Sequence, residues 1–372
     1  VTRDESGFSV LLGLGNGAFA PARENSLRAE ELVARDFNRD GKMDLAVASS
    51  YYVHILYGDG EGNFDVSTNI LVAVDTPERI DAADLNSDGH LDLSLGICFL
   101  FSQGDGGFDV PYNFQIGQEE FRIADVNSDG SSDLIYALHN GTYRDSFCVA
   151  TNWGGGQFLD RQYFGTTNYQ THPMLETGDL DGDLKPDVFV LSSETLWLGN
   201  SAAVWLNNGD GTFRYANDYP LDFPVKQIAF ADFNLDGRTD AIVQGGSVAR
   251  ILYGHGDGSF TIGEPMSITG ALAIGDFDCN GTPDIIYADS ANTSVSVMLN
   301  EVSLAFGIAP TPGCHQITWP NIAGYILEYT TNLAVSGSWV PFPDPPVVVD
   351  GRHGVVDCAA GHCRFYRLRK TP

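Results

Sequence analysis

Basic residues are scarce in this chain: 20 Lys and Arg stand against 49 Asp and Glu, a formal net charge of −29. Nucleic acid and anionic membrane surfaces would repel such a chain, so no nucleic-acid partner is expected. No run of about 18 apolar residues occurs, so no membrane span is expected either. Signatures of hydrolytic catalysis are missing: there is no Gly-x-Ser-x-Gly or His-Glu-x-x-His, and the eight histidines are scattered. No stretch has the periodicity of a convincing amphipathic helix, which argues against helical solenoids. The chain opens at Val1 with no signal peptide, as a processed or truncated chain would.

What is abundant is glycine, with 42 residues, and aromatic side chains, at 11%. That mixture favours many short strands joined by tight turns. A search for internal similarity then finds one decapeptide six times: DFNRDGKMDL from Asp36, DLNSDGHLDL from Asp84, DVNSDGSSDL from Asp125, DLDGDLKPDV from Asp179, DFNLDGRTDA from Asp232 and DFDCNGTPDI from Asp276. A second motif interleaves with it, an alternating apolar run leading into a Gly-rich turn and then Phe. It ends at Phe19, Phe64, Phe108, Phe158, Phe213 and Phe260, with an incomplete copy near Val297.

Period-2 alternation and β-branched residues mark these runs as strands, and the Asp-Gly turns mark hairpins. Each module then holds four antiparallel strands, the composition of a propeller blade. The expected fold is therefore all-β: a seven-bladed β-propeller over residues 1–300, its first inner strands lying before Val1, or alternatively a six-bladed ring closed by the N-terminal segment.

The decapeptide places oxygen-bearing side chains at positions 1, 3, 5 and 9 and a backbone carbonyl at 7, enough to wrap one Ca²⁺, a hard cation that takes six to eight oxygens. Its candidate ligands are Asp36, Asn38, Asp40, Lys42 and Asp44; Asp84, Asn86, Asp88, His90 and Asp92; and Asp125, Asn127, Asp129, Ser131 and Asp133. The later copies give Asp179, Asp181, Asp183, Lys185 and Asp187; Asp232, Asn234, Asp236, Arg238 and Asp240; and Asp276, Asp278, Asn280, Thr282 and Asp284. The seventh residue of each set contributes its carbonyl. Asp-Asn-Gly clusters form turns without any ion, but a turn alone does not require a carboxylate at position 9, beyond the bend, six times over. An EF-hand needs flanking helices and Glu at position 12, and neither is present. The expectation is about six structural Ca²⁺ ions. Copy four, with Leu184 where the others have Gly, has the least regular turn.

On these motifs, residues 8–300 resemble the FG-GAP/VCBS repeats of integrin α-subunit propellers and of many bacterial secreted proteins. The resemblance implies calcium loops on one face of a disc and ligand binding on the other, with roles in adhesion, glycan binding or protein docking; some related propellers are lyases. The ligand face would carry the connections between second and third strands and between blades. Those connections hold Tyr51, Tyr52, Tyr143, Arg144, Tyr163, Phe164, Tyr169, His172, Trp197, Tyr219 and Phe223. Of these, Tyr52, Tyr143, Arg144, Tyr169, His172, Trp197 and Tyr219 are the candidate ligand-binding residues, although aromatic residues also commonly pack between blades. No catalytic residue is assigned; Arg161, Tyr169 and His172 are the nearest approach to a lyase constellation.

After Asn300 the Asp loops stop, and HQITW, YILEYT, GVVDC and CRFYRLR suggest a small β-sandwich over 301–372, similar to terminal modules of secreted bacterial proteins. Cys358 and Cys363 read as disulfide cysteines rather than half of a zinc knuckle with His362. With Cys314 also in the tail and Cys98, Cys148 and Cys279 in the propeller, the connectivity stays open. The whole reads as a secreted or cell-surface recognition and adhesion scaffold for a glycan or extracellular protein, with a larger surface assembly as a further partner to test. A polysaccharide lyase or hydrolase is the alternative, and a structural subunit of a surface layer or filament is a third.

Overall fold

A computed structural model describes residues 2–4, 7–72, 79–96, 98–104, 107–109, 112–113, 120–137, 147–165, 171–193, 200–289, 294–300, 307–311, 314–320, 325–331, 339–349, 352–358 and 364–370. Among them every regular element is a β-strand and every strand pairing is antiparallel.

The repeat period becomes a series of sheets. Glu31–Arg35, Asp44–Ser49, Tyr52–Gly58 and Phe64–Leu71 pair in chain order, and each following module repeats that order. The first sheet, built from Thr2–Asp4, Gly7–Val10 and Arg23–Asn25, has three strands, as does the last, built from Leu272–Gly275, Asp284–Asp289 and Ser294–Met298. The N-terminal segment thus builds a sheet of its own and adds no described strand to the last one.

Second strands such as Asp133–Ala137 and Asp240–Gly245 are buried throughout, because neighbouring sheets cover both of their faces. The outer strand Phe213–Leu221 leaves most of its residues at least partly exposed. The Phe that ends each Gly-rich turn reaches back to the preceding sheet: Phe158 lies 4.8 Å from Phe99, Phe213 lies 5.5 Å from Phe147, and Phe260 lies 5.7 Å from Phe189. These aromatic contacts sit within apolar clusters shared by adjacent sheets. This is a β-propeller, with its core distributed between blades.

The same stitching joins the two ends. Gly211 N–H donates to Val126 O and Gly258 N–H to Leu180 O, each linking a Gly-rich turn to the Asp loop of the preceding sheet. Gly17 N–H donates to Phe277 O in the same way, with Phe19 5.8 Å from Phe277. The first sheet therefore follows the last as each of those sheets follows its predecessor.

In the tail, Gly307–Thr311, Cys314–Pro320, Arg352–Asp357 and Val347–Val349 form one sheet, and Val340–Pro341, Tyr325–Thr330 and Phe365–Lys370 form another. Ile317, Trp319 and Val355 from the first pack with Leu327 of the second. A disulfide joins Cys314 to Cys358. Cys358 thus pairs with Cys314 rather than with Cys363, which lies outside the described residues, because the pairing of Cys314–Pro320 with Arg352–Asp357 brings the two chain segments together. Cys98, Cys148 and Cys279 carry thiols rather than disulfides, and Cys98 and Cys148 are buried.

Candidate metal centres

Each Asp loop lies between the first and second strands of a sheet. Its backbone takes the left-handed conformation twice, at positions 4 and 6. In the first copy these are Arg39 (φ 61°) and Gly41 (φ 82°). The fourth copy keeps the shape but moves the glycine: Gly182 occupies position 4, and Leu184, 90% exposed, is held at φ 66°. Two inward bends in quick succession turn the chain around its own side-chain oxygens.

Those oxygens are held by backbone N–H groups. The position-1 carboxylates of Asp36, Asp84, Asp125, Asp179, Asp232 and Asp276 each accept the N–H of position 6, at 2.8–3.0 Å. The position-3 oxygens of Asn38, Asn86, Asn127, Asp181, Asn234 and Asp278 accept the N–H of position 5. At position 5, Asp40, Asp88, Asp129, Asp183, Asp236 and Asn280 accept the N–H of position 7, from Lys42, His90, Ser131, Lys185, Arg238 and Thr282. A carboxylate has about four acceptor directions, so such bonding orients it without exhausting it.

The ninth residue does something the sequence alone did not reveal. Asp44, Asp92, Asp133, Asp187, Asp240 and Asp284 are all fully buried. One oxygen accepts the N–H of position 2 at 2.8–3.0 Å. The other accepts, at 2.7–2.9 Å, the N–H of Gly58, Ser102, Asn152, Asn207, Gly254 or Asn300 at the end of the third strand. It therefore clamps the loop onto the third strand of its own blade. Burial raises the carboxyl pKa to about 6 at Asp92, Asp133 and Asp240, and to about 7 at Asp187, with backbone hydrogen bonds opposing. Asp181 is also raised by burial and by neighbouring Asp183.

Where position 3 is Asp, carboxylates alone form a compact cluster. Atoms of Asp179, Asp181 and Asp187 lie within 4.8 Å of one another, as do atoms of Asp276, Asp278 and Asp284. Elsewhere the Asn amide stands in that place. All-oxygen donors around a buried carboxylate suit a hard divalent cation and not a soft one.

Asn at the end of the third strand is a further functional position missed in the sequence, though the recurring LN and TN pairs signal it. Asn152 Nδ2 donates to Leu85 O, Asn207 Nδ2 to Val126 O, and Asn300 Nδ2 to Phe233 O, at 2.8–3.0 Å, each reaching the Asp loop of the preceding blade. No motif announced the buried Arg122, whose guanidinium forks onto both oxygens of Glu176 at 2.8 and 2.9 Å and also donates to Glu120.

The candidate ligand residues are only partly gathered. Tyr52 is exposed beside His54 at the connection opposite the Asp loops, with exposed Tyr51 adjoining it. Tyr219 is engaged between blades: its hydroxyl accepts Phe260 N–H at 2.8 Å and its ring meets Phe260 edge-on. Phe164 stacks on Phe147, and Phe223 is core. Tyr143, Arg144, Tyr169 and Trp197 lie outside the described residues, as does the side chain of His172.

A propeller stitched by repeated acidic loops is the class that fold and site define together. The model of the FG-GAP-like repeat matches residues 36–94, 125–190, 179–243 and 232–287, more than half of the chain. The chain belongs to that family. It is 31% identical over 134 residues to a T-cell immunomodulatory protein homolog of Plasmodium yoelii yoelii, a match covering 32% of this chain and 19% of the relative. The chain thus spans about a fifth of that relative's length. Among solved structures, it resembles an Agrocybe aegerita lectin specific for non-reducing terminal N-acetylglucosamine, with TM-score 0.53, 23% identity, and coverage of 71% of this chain and 74% of the lectin. It also resembles a putative 6-phosphogluconolactonase of Bacteroides fragilis, with TM-score 0.52, 12% identity, and coverage of 80% and 91%. At such identities these two likenesses speak for the fold alone. Among the described residues, no helix is long and apolar enough to cross a membrane.

Proposed function

We propose that this protein is an extracellular recognition scaffold, secreted or at the cell surface, whose blades are pinned by Ca²⁺ and whose loops bind a glycan or protein partner. The observation that carries the reading is the six-fold loop with oxygen side chains at positions 1, 3 and 5 and a buried ninth carboxylate, whose carboxylates of positions 1, 3 and 9 lie within 4.8 Å of one another in two copies. In each loop those side chains and the carbonyl of Lys42, His90, Ser131, Lys185, Arg238 or Thr282 would hold one ion. The ion would supply the positive charge that a buried carboxylate cluster otherwise lacks. Its role is structural, since a shell filled by protein oxygens leaves little room for a substrate.

Residues 1–300 would be the recognition propeller and 301–372 a separate sandwich module. A ring of seven is favoured by the Gly17–Phe277 bond, which repeats the bond between ordinary neighbours. The FG-GAP-like repeats support a recognition role, and the disulfide supports an oxidising compartment. Thermal melts in millimolar calcium and in excess chelator test the reading. Stabilisation by calcium, reversed by chelation and not reproduced by magnesium, is the expected outcome; superimposable melts would refute it.

A further inference from the structure

One blade departs from the repeat where its Gly-rich turn begins. The turns of three other blades read GDGEGNF, NNGDGTF and GHGDGSF, whereas this one reads NWGGGQF, ending at Phe158. Trp153 replaces the residue occupied elsewhere by Asp59, Asn208 or His255, and Gly155 replaces the acidic residue two places on. The indole is 67% exposed. A side chain at Gly154 or Gly155 would meet nothing within 4 Å, so the space beside the ring is open.

That space is a cleft of about 490 Å³, lined by Thr151, Trp153 and Gln162 of this blade, by Asn127 and Asp129 of its Asp loop, and by Asp210 from the turn of the next blade. Its volume falls in the range of small-molecule sites. The polar groups are pre-set. Asp210 Oδ1, outside any Asp loop, accepts both the N–H and the hydroxyl of Thr212, while Asn127 and Asp129 close the wall as members of the Asp loop and are not counted as sugar acceptors. The Gln162 side-chain amide has no hydrogen-bond partner among the described residues. A flat apolar surface bordered by the fixed carboxylate of Asp210 and the Gln162 amide matches one chemistry in particular. A pyranose ring offers a face of C–H groups to an indole and a rim of hydroxyls to carboxylates and amides.

We propose that this cleft, at the junction of the blades spanning 121–164 and 171–221, is a binding site for an uncharged pyranose that stacks on Trp153. The inference deepens the recognition reading and rests on it, but it moves a site to the Asp-loop face, since Gly-rich turns and Asp loops lie at the same ends of the strands. Asp210 in the wall, which belongs to no Asp loop, disfavours uronates and sialic acids by like-charge repulsion.

The test is a printed array of neutral and uronate-bearing oligosaccharides, probed in calcium with the full chain, Trp153→Ala, Trp153→Phe and Tyr52→Ala. Titration with the methyl pyranoside of each hit follows. Neutral sugars should bind, with affinity falling about tenfold or more in W153A and being largely kept in W153F, whereas Y52A reports on the other face. Removing an exposed ring leaves the fold intact, which matched melting curves verify. The proposal is overturned by absence of neutral-sugar binding, by preference for uronates, or by equal binding of W153A. Loss in Y52A alone would place recognition on the other face, keeping the scaffold reading while removing this one.

Discussion

Leu184 is the residue at which this chain strains against its own repeat. A β-carbon in the left-handed region costs roughly 1–2 kcal/mol, and the side chain gains nothing in return because it is exposed. Glycine relieves that strain but adds freedom to the unfolded chain, so Leu184→Gly should stabilise by about 0.5–1 kcal/mol in urea titration. The irregularity was legible in the sequence as a missing Gly; its compensation by Gly182 at position 4 was not, because only the backbone shows that two left-handed positions are needed. The ninth carboxylates give the opposite case. Their oxygen chemistry was legible, whereas their burial and double bonding to backbone N–H groups depend on the third strand, some ten to twenty residues away. Asp240→Ala would strand the N–H groups of Phe233 and Gly254, and should cost roughly 2–4 kcal/mol in the same titration. Because the folded pKa values of Asp92, Asp133, Asp187 and Asp240 are raised, the fold favours their protonated forms. In metal-free protein that contribution is complete below the ordinary value of 3.8 and is lost as pH climbs through about 6 to 7. Chelated samples should therefore melt at a lower temperature at pH 8 than at pH 5, once carboxylates stabilised by other contacts are matched by comparison with calcium-loaded protein.

Strands and loops were the most legible scale, since alternation and turn chemistry are local. What joins one blade to the next was less so. The turn Phe was visible as a repeated letter, yet its destination, the second or third strand of the preceding blade, is a contact across some sixty residues. Asn207 works similarly: its amide donates to Val126 O and Pro186 O, tying two Asp loops together. Asn207→Ala should cost about 1–3 kcal/mol by leaving buried carbonyls unpaired, with increased amide exchange in both loops. Glu176→Ala should cost more, roughly 3–5 kcal/mol in urea titration, because it leaves the buried Arg122 guanidinium without its two-pronged partner. Nothing in the sequence marks that pair, as each residue stands alone in its own strand. In the tail, strand pairing selects Cys314 for Cys358, a choice that cysteine spacing could not make.

At the scale of the whole molecule, the charge of −29 and the fold are one problem. Nineteen carboxylates sit in six short loops, all at one face, while the chain's 20 Lys and Arg are shared among 49 Asp and Glu. Protein cations reach only some, such as Lys185 at 2.6 Å from Asp183 and Lys42 at 3.7 Å from Asp40. The repeated loop was therefore the most informative feature of the sequence, naming the fold and gathering carboxylates that could hold a metal, whereas the proposed ligand face was barely legible because its aromatics obey no period and Tyr219 turned out to join blades. Calcium binding is the claim on which the stability of the ring turns, and equilibrium dialysis of the intact chain against radioactive calcium, with and without competing chelator, measures it most directly. About six ions per chain are predicted, with one lost when Asp276 and Asp278 are both replaced by Ala. No bound calcium at millimolar free ion, in protein whose folding is verified by its circular dichroism, would contradict the account.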